Sequence, residues 1–131
     1  MGHEGEINVT VPARPDFLHV VRSVTASVAA RLDLGYDDIE DLRIAVDEAC
    51  AQLLSDGGPA SHLTLIITPS ADQVEVVVCT DGDVRDWPPS GVEESLIWQV
   101  LNGLTEGPSF ERFDGKPGMR LVKTVARAAG R

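Results

Sequence analysis

The first pattern in the chain is a strict alternation of apolar and polar residues from Glu6 to Val11. Ile7, Val9 and Val11 are the apolar members, and a period of two places them on the same face of an extended segment. Pro12 follows directly and ends the pattern, because proline cannot donate to a sheet ladder. This segment therefore predicts a β-strand with one buried face.

Two helical patterns come next, each with apolar residues every three or four positions. The first is predicted to start with Asp16 as its capping residue and to end near Leu32, and its apolar positions are Phe17, Val21, Val24 and Val28. The second is predicted to begin at Asp37 or Asp38 and to end near Ser55. Its apolar stripe consists of Ile39, Leu42, Val46, Ala49 and Leu53.

The second half of the chain begins with two segments rich in β-branched residues, Leu63–Thr68 and Gln73–Cys79, which predict a hairpin. Ser90 stands three residues before Glu93, the spacing of a capping box, and predicts the start of a short helix. The apolar positions of this helix are Leu96, Ile97, Val100, Leu101 and Leu104.

The chain is predicted to close with another strand pair, Ser109–Phe113 and Met119–Val125, and a frayed tail, Ala126–Arg131. This order of elements predicts an α/β two-layer sandwich, with about three helices on one face of a mixed, largely antiparallel sheet of about five strands. At 131 residues the chain is expected to form a single domain over residues 1–131.

Composition and charge exclude several classes of function. The chain has 21 acidic and 11 basic residues and a formal net charge of −10, which disfavours contact with nucleic-acid phosphates. We see no membrane-spanning run and no secretory leader, so we expect a cytoplasmic protein without a membrane partner. Cys50 and Cys79 lack CxxC spacing and neighbouring histidines, which predicts two buried thiols rather than a disulfide or a zinc site.

Polar residues lie beside the buried stripe on the second predicted helix. At about 100° per residue, Asp41, Glu48, Gln52 and Ser55 fall within an arc of roughly 60°. Glu48 then lies at the edge of the core, one turn before Gln52, and this spacing suits a ligand site. It is also the spacing of a plain i,i+4 surface pair. Asp47 is turned about 100° away and is expected to be an ordinary surface acid.

The order of elements and the second helix together resemble the anti-sigma factors of the RsbW and SpoIIAB type, a branch of the GHKL ATPases with the Bergerat fold. The resemblance extends from Ile7 to Val125. It is most specific between Ala30 and Leu53, where Ala-Arg-Leu-Asp33 leads into Ile-Ala-Val-Asp-Glu-Ala-Cys50. It implies an ATP- and magnesium-binding sandwich that contacts a sigma factor.

The resemblance assigns nucleotide-site roles to five residues. Glu48 is implied as the general base for phosphoryl transfer, and Gln52 stands where the family has the asparagine that ligates magnesium. Asp81 and Gly82 match the adenine-binding motif, although a plain turn has the same composition. Gly91 matches the glycine-rich entry to the last helix, where phosphates bind.

The chain departs from the family pattern at this site. Gln52 is one methylene longer than asparagine, and magnesium demands near-ideal octahedral geometry. Only 12 residues, Asp83 to Glu94, remain for a lid, and Glu93 and Glu94 repel a polyphosphate. We therefore expect ATP and magnesium to bind weakly or not at all.

The family binds its sigma factor through the first helix, and the exposed arginine of that surface corresponds to Arg22. Leu18, Ala26 and Ala29 are expected beside Arg22, away from the buried stripe, where small residues allow a partner to approach closely. Without the resemblance, Arg22 is equally explained as a solvated side chain. The loop from Asp81 to Ser90, with an exposed Trp87, is the alternative interface.

The leading hypothesis is an anti-sigma factor that sequesters an alternative RNA-polymerase sigma factor and is released by an anti-anti-sigma antagonist of the STAS type. The enzyme alternative is an active serine/threonine kinase that phosphorylates this antagonist. A metabolic ATPase without a protein partner is the third alternative. Because family members commonly form dimers, a homodimer is a further expectation.

Overall fold

The computed structural model of the protein describes residues 5–125. Its elements in chain order are β1 (Ile7–Pro12), α1 (Leu18–Arg31), α2 (Tyr36–Asp56), β2 (His62–Pro69), β3 (Gln73–Thr80), α3 (Leu96–Leu104), β4 (Ser109–Phe113) and β5 (Lys116–Thr124). Short 3-10 turns, Pro15–Phe17 and Val92–Glu94, precede α1 and α3. The predicted tail, Ala126–Arg131, lies outside the described residues.

The five strands form one sheet in the order β1-β2-β3-β5-β4. The predicted α/β sandwich is confirmed, but every neighbouring pair of strands is antiparallel, so the sheet over residues 5–125 is not mixed. Asp114 and Gly115 join β4 to β5 with φ angles of 53° and 81°, the backbone geometry of a tight hairpin turn. β5 consequently begins at Lys116 rather than at the predicted Met119.

The helices cover one face of the sheet and form the core with it. The buried inward side chains of the strands include Leu63, Leu65, Ile67, Val74, Val76, Val78, Met119 and Leu121. α2 packs on β3 and β5 and buries Leu42, Val46, Ala49 and Leu53, as its periodicity predicts. Each fully buried leucine or valine contributes about 1.5–3 kcal/mol to folding, so α2 is firmly fixed on the sheet.

α1 packs against α2 with a buried stripe that differs from the predicted one. Val21, Thr25 and Ala29 are its buried residues, whereas Val24 and Val28 are only partly buried. The hydroxyl of Thr25 donates to the carbonyl of Val21 at 2.8 Å. Because this hydrogen bond satisfies the hydroxyl within the helix, a polar residue can occupy the centre of the buried face.

Both predicted helix caps are wrong. Asp16 lies within the 3-10 turn before α1, and its carboxylate pairs with the guanidinium of Arg14 at 2.8 Å. The N-cap of α3 is Ser95 instead of Ser90, and its hydroxyl accepts the N–H of Trp98 at 3.2 Å. The 3-10 turn Val92–Glu94 takes up the residues that were expected in the first turn of α3.

A buried lysine on the inward face of β5 joins this strand to both α2 and α3. Lys123 is 8% exposed, and its Nζ donates to the carbonyl of Leu104 at 2.9 Å and to Oδ2 of Asp41 at 3.2 Å. Oδ1 of Asp38 lies 3.7 Å from the same Nζ. Because a buried ammonium is costly unless it is paired, these contacts hold the end of α3 beside the first half of α2.

Asp81, directly after β3, holds the beginning of β2. Its Oδ1 accepts the backbone N–H groups of Ser61 at 2.8 Å and His62 at 3.0 Å, and its Oδ2 lies 3.0 Å from His62 Nδ1. Hydrogen bonds to a carboxylate favour its ionised form. These bonds, led by the one from the His62 N–H, lower the pKa of Asp81 to about 2.

The described residues also bear on the cysteine, metal and membrane predictions. Cys50 and Cys79 are both free, which confirms that they form no disulfide, and burial raises the pKa of the Cys50 thiol to about 12. Cys79 is only partly buried, so the prediction that both thiols are buried is wrong for this residue. Between residues 5 and 125 there is no cluster of histidine, cysteine and acidic side chains that could hold a metal ion, and no helix long and apolar enough to cross a membrane.

Replacing Lys123 by methionine is expected to lower the free energy of unfolding by about 1–3 kcal/mol. The methionine keeps the apolar stem, but the Leu104 carbonyl loses its donor and Asp41 loses its cation. Urea denaturation of both proteins measures the difference. Lys116→Met, at an exposed position of the same strand, is the matched control and should change stability by less than about 0.5 kcal/mol; equal losses in both variants would contradict this assignment.

Asp81→Asn is expected to lower stability by about 1 kcal/mol at pH 7, a value reduced for the solvent exposure of this carboxylate. Because the folded-state pKa of Asp81 lies near 2, below the usual value near 3.9, its stabilising effect is present above about pH 4 and is lost as the pH falls towards 2. Urea midpoints of both proteins at pH 7 and pH 3 test this. A stability difference that stays constant between the two pH values would refute the ionic contribution.

Candidate functional site

Some of the polar residues predicted beside the buried stripe of α2 form hydrogen bonds within the helix itself. Gln52 donates its Nε2 to Oδ2 of Asp56, and Ser55 donates its hydroxyl to the Gln52 carbonyl at 3.4 Å. Asp41 is bound to Lys123. Glu48 is partly exposed, and its carboxylate has no hydrogen-bond or ion-pair partner within residues 5–125. Of these polar residues, Glu48 is thus the one whose carboxylate remains available to a ligand.

Asp81 and Gly82 both have structural roles in this fold. Both carboxylate oxygens of Asp81 contact the start of β2. Gly82 is buried where the loop crosses the end of α2, and a Cβ at this position would lie 2.4 Å from the carbonyl oxygen of Gly57. Only glycine allows so close an approach. A tight crossing therefore explains this pair, and their role towards a nucleotide stays a prediction.

Trp87 fastens the loop after β3 to the sheet. It is 4% exposed, so its predicted exposure is wrong. Its Nε1 donates to the carbonyls of Glu111 at 2.9 Å and Gly118 at 3.1 Å, and its ring lies 5.3 Å from that of Phe110. Burial of an indole is favourable when its N–H finds an acceptor, and the outermost strand, β4, supplies one.

Arg112 on β4 holds the same loop at a second point. Its NH2 donates to the carbonyls of Val84 at 2.7 Å and Arg85 at 2.9 Å, while its NH1 donates to Gly115 at 2.9 Å. Charged donors make hydrogen bonds roughly twice as strong as neutral ones. The loop between β3 and α3 is therefore fastened to the β4–β5 hairpin by two side chains.

The entry to α3 contains one glycine and two acids. Gly91 has a φ of 73°, a left-handed conformation that favours glycine. Glu93 and Glu94 follow it and are exposed. Carboxylates at the start of a helix repel the anions that its N-terminus would otherwise attract.

Two open cavities flank this loop, with volumes of about 580 Å³ and 360 Å³. The larger is lined by Asp56, Val84, Arg85, Asp86, Trp87, Pro88, Pro89 and Ser90. The smaller is lined by Pro88, Pro89, Gly91, Val92, Glu93 and Glu94. Of the residues predicted to bind the nucleotide, only Gly91 lines either cavity; Glu48, Gln52, Asp81 and Gly82 line neither.

Arg22 on α1 forms an ion pair with Asp47 on α2. Its Nε and NH2 lie 3.3 Å and 3.0 Å from Oδ1 of Asp47, and both side chains are 37% exposed. Asp47 is therefore not the ordinary surface acid that its position on the helix predicts. The pair holds the guanidinium at the outer edge of the α1–α2 contact, where it remains open to solvent.

The surroundings of Arg22 are more buried than the sequence predicts. Ala29 is 1% exposed, so its predicted place on an exposed face is wrong, because it belongs to the buried stripe with Val21. Leu18 is partly buried and packs against the core, and Ala26 is partly buried as well. Ser23 is exposed.

Sequence reasoning missed the contacts made by three residues: Trp87, Arg112 and Lys123. Lys123 had a readable signal, because it is in phase with the inward residues Met119 and Leu121 and an inward lysine requires acidic partners. Trp87 and Arg112 gave none, because their acceptors are backbone carbonyls whose positions depend on tertiary packing.

Comparisons with known proteins agree with this architecture. Residues 11–127 match the family described as histidine kinase-like ATPase domain. The chain is 39% identical over 129 residues to the serine-protein kinase RsbW of Halalkalibacterium halodurans. This alignment covers 94% of this chain and 74% of that protein. It is 33% identical over 123 residues to the serine-protein kinase RsbW of Bacillus subtilis, with coverage of 91% and 72%.

A third relative aligns with this chain over a shorter stretch. The anti-sigma-F factor RsbW of Mycobacterium tuberculosis is 32% identical over 100 residues, which are 76% of this chain and 58% of that protein. The match thus spans little more than half the length of this relative. Together with the fold, these similarities confirm the resemblance, and the chain belongs to the RsbW type of the histidine kinase-like ATPase family.

Proposed function

We propose that this protein is an anti-sigma factor that sequesters an alternative RNA-polymerase sigma factor in the cytoplasm and is released by a STAS-type anti-anti-sigma antagonist. The names of its relatives, anti-sigma-F factor and serine-protein kinase, support this class of function. Direct contact with nucleic acid is not expected at a net charge of −10. A homodimer stays a prediction.

The observation that carries the proposal is the way Arg22 is held. Its Nε and NH2 both donate to one oxygen of Asp47, and the NH1 group has no partner within residues 5–125. A guanidinium has five N–H donors in a fixed plane. Arg22 can therefore bind a partner's carboxylate without leaving Asp47, and the pair orients it for that contact.

We further propose that sigma binding does not require magnesium-ATP, because the residues present do not fit this ligand. Gln52 is bound to Asp56, and both oxygens of Asp81 are bound to Ser61 and His62. A nucleotide that bound through these groups would have to replace these hydrogen bonds, each of which is exposed and contributes about 1 kcal/mol or less. The acids at the entry to α3 add repulsion.

The second candidate function is phosphorylation of the antagonist by an ATP-dependent serine/threonine kinase. The observation that favours it is the available carboxylate of Glu48 in the described structure; the family resemblance assigns this residue as the general base. A carboxylate of this kind can accept a proton from a serine hydroxyl. The relatives named serine-protein kinase support the same candidate.

Isothermal titration of the protein with magnesium-ATP is expected to give weak binding or none, for the reasons given above. Micromolar, magnesium-dependent binding would contradict the claim that the residues present do not fit magnesium-ATP. Should it be observed, Glu48→Ala distinguishes the two functions: in a kinase this variant loses phosphorylation of the antagonist but retains the sigma factor.

Arg22→Glu is expected to weaken the sigma complex at least about tenfold, since close interfacial charge pairs couple by about 1.5–7 kcal/mol. Equilibrium binding to purified alternative sigma factors of the host measures this effect. Arg31→Glu makes the same charge change at an exposed position of the same helix and should leave the affinity unchanged.

Because Arg22→Glu also places two acids side by side, the double variant Arg22→Glu/Asp47→Arg is the necessary second control. It restores an ion pair between α1 and α2 with reversed polarity. We expect it to recover the melting temperature but not the affinity for the sigma factor. Unchanged affinity in all three variants would show that Arg22 is only a solvated side chain.

A further inference from the structure

Leu96 is an exposed apolar residue that the core does not require. It occupies the first position of α3 and is 75% exposed, while Leu101 of the same helix is fully buried and Ile97 and Leu104 pack against the core. A single exposed leucine is ordinary. Leu96, however, stands two residues after Glu94, the last of the residues that line the smaller of the two cavities.

Apolar and acidic side chains both line that cavity. Pro88, Pro89 and Val92 supply apolar surface, and Glu93 and Glu94 supply carboxylates. Neither carboxylate has an ion-pair partner within residues 5–125. The six residues Pro88, Pro89, Val92, Glu93, Glu94 and Leu96 are called here the Pro88–Leu96 surface.

The Pro88–Leu96 surface is held in place before any ligand arrives. Trp87, which directly precedes it, is fixed by two hydrogen bonds to β4 and β5, and Ser95 caps α3 within it. A preorganised surface loses little conformational entropy on binding. It can therefore serve as a docking site, whereas a mobile loop of the same composition would lose more conformational entropy and bind more weakly.

We propose that the Pro88–Leu96 surface docks a segment of a partner protein that carries apolar side chains next to lysine or arginine. The aliphatic stem of a basic side chain can lie along the two prolines while its charged end meets Glu93 and Glu94. The apolar side chain of the partner packs on Leu96. The same carboxylates disfavour contact with nucleic acid and anionic lipid surfaces.

This surface goes beyond the proposed sigma contact and has the opposite charge preference. Arg22, on α1, selects an acidic group, whereas the Pro88–Leu96 surface selects a basic one. The protein therefore presents two surfaces of different chemistry, one on α1 and one at the start of α3.

The test uses the full chain, labelled with ¹⁵N, and three synthetic helical peptides of about 15 residues. The first combines leucine and lysine, the second leucine and glutamate, and the third serine and lysine. We expect only the leucine–lysine peptide to bind saturably, with shifts concentrated in the backbone amides of residues 90–97. Leu96→Ser and Glu93→Lys/Glu94→Lys should each weaken this binding roughly tenfold or more.

Matched variants separate docking from general attraction to an acidic protein. Tyr36→Ser removes an apolar side chain that is 77% exposed on α2. Asp37→Lys/Asp72→Lys makes the same net charge change as Glu93→Lys/Glu94→Lys, but at other exposed sites. Both control variants should bind the peptide like the unaltered protein. Absent binding, shifts spread over the whole surface, or equal losses in the control variants would overturn the proposal. Because no sigma factor is used, such a failure leaves the Arg22 proposal standing.

Discussion

The burial of one side of α2 against the sheet is the interaction on which the rest of the structure depends. Leu42, Val46, Ala49 and Leu53 fix the rotation of this helix, and at about 100° per residue that rotation determines where every other side chain of α2 points. Asp47 consequently meets Arg22 of α1, and Asp41 meets Lys123 of β5. Glu48 is left at the edge of the core with an available carboxylate.

The same fold uses two residues that were predicted to bind the nucleotide for its own stability. Asp81 holds the start of β2, and Gly82 permits a tight crossing at the end of α2. Trp87 and Arg112 fasten the loop that would have to move as a lid. A nucleotide that bound through the carboxylate of Asp81 would compete with its hydrogen bonds to Ser61 and His62. This competition is the physical reason for expecting the scaffold to act through protein surfaces rather than through ATP.

The sequence predicted the elements well and the contacts between them poorly. Periodicity identified the strands and the stripe of α2, because burial on one face leaves a direct pattern of apolar residues. It misplaced the stripe of α1, because Thr25 and Ala29 are buried for reasons of hydrogen bonding and size that a count of large apolar residues does not register.

Contacts between distant segments left even less trace in the sequence. Trp87 seemed exposed because it lies in a proline-rich loop, and its acceptors on β4 and β5 become visible only in the folded chain. Ser90 has the spacing of a capping box, but Ser95 is the residue that caps α3. Both are serines ahead of acids or apolar residues, so the sequence did not distinguish them. The setting of Arg22 was the least predictable part, because this residue takes its orientation from Asp47 on another helix.

The most direct test of the central claim is the affinity of the sigma factor for this protein, measured with and without magnesium-ATP. If the complex is held by α1 and does not depend on nucleotide, the two dissociation constants should agree within about twofold, because an uncoupled ligand cannot shift a binding equilibrium. A complex that forms only with magnesium-ATP, or that tightens tenfold or more in its presence, would contradict the account.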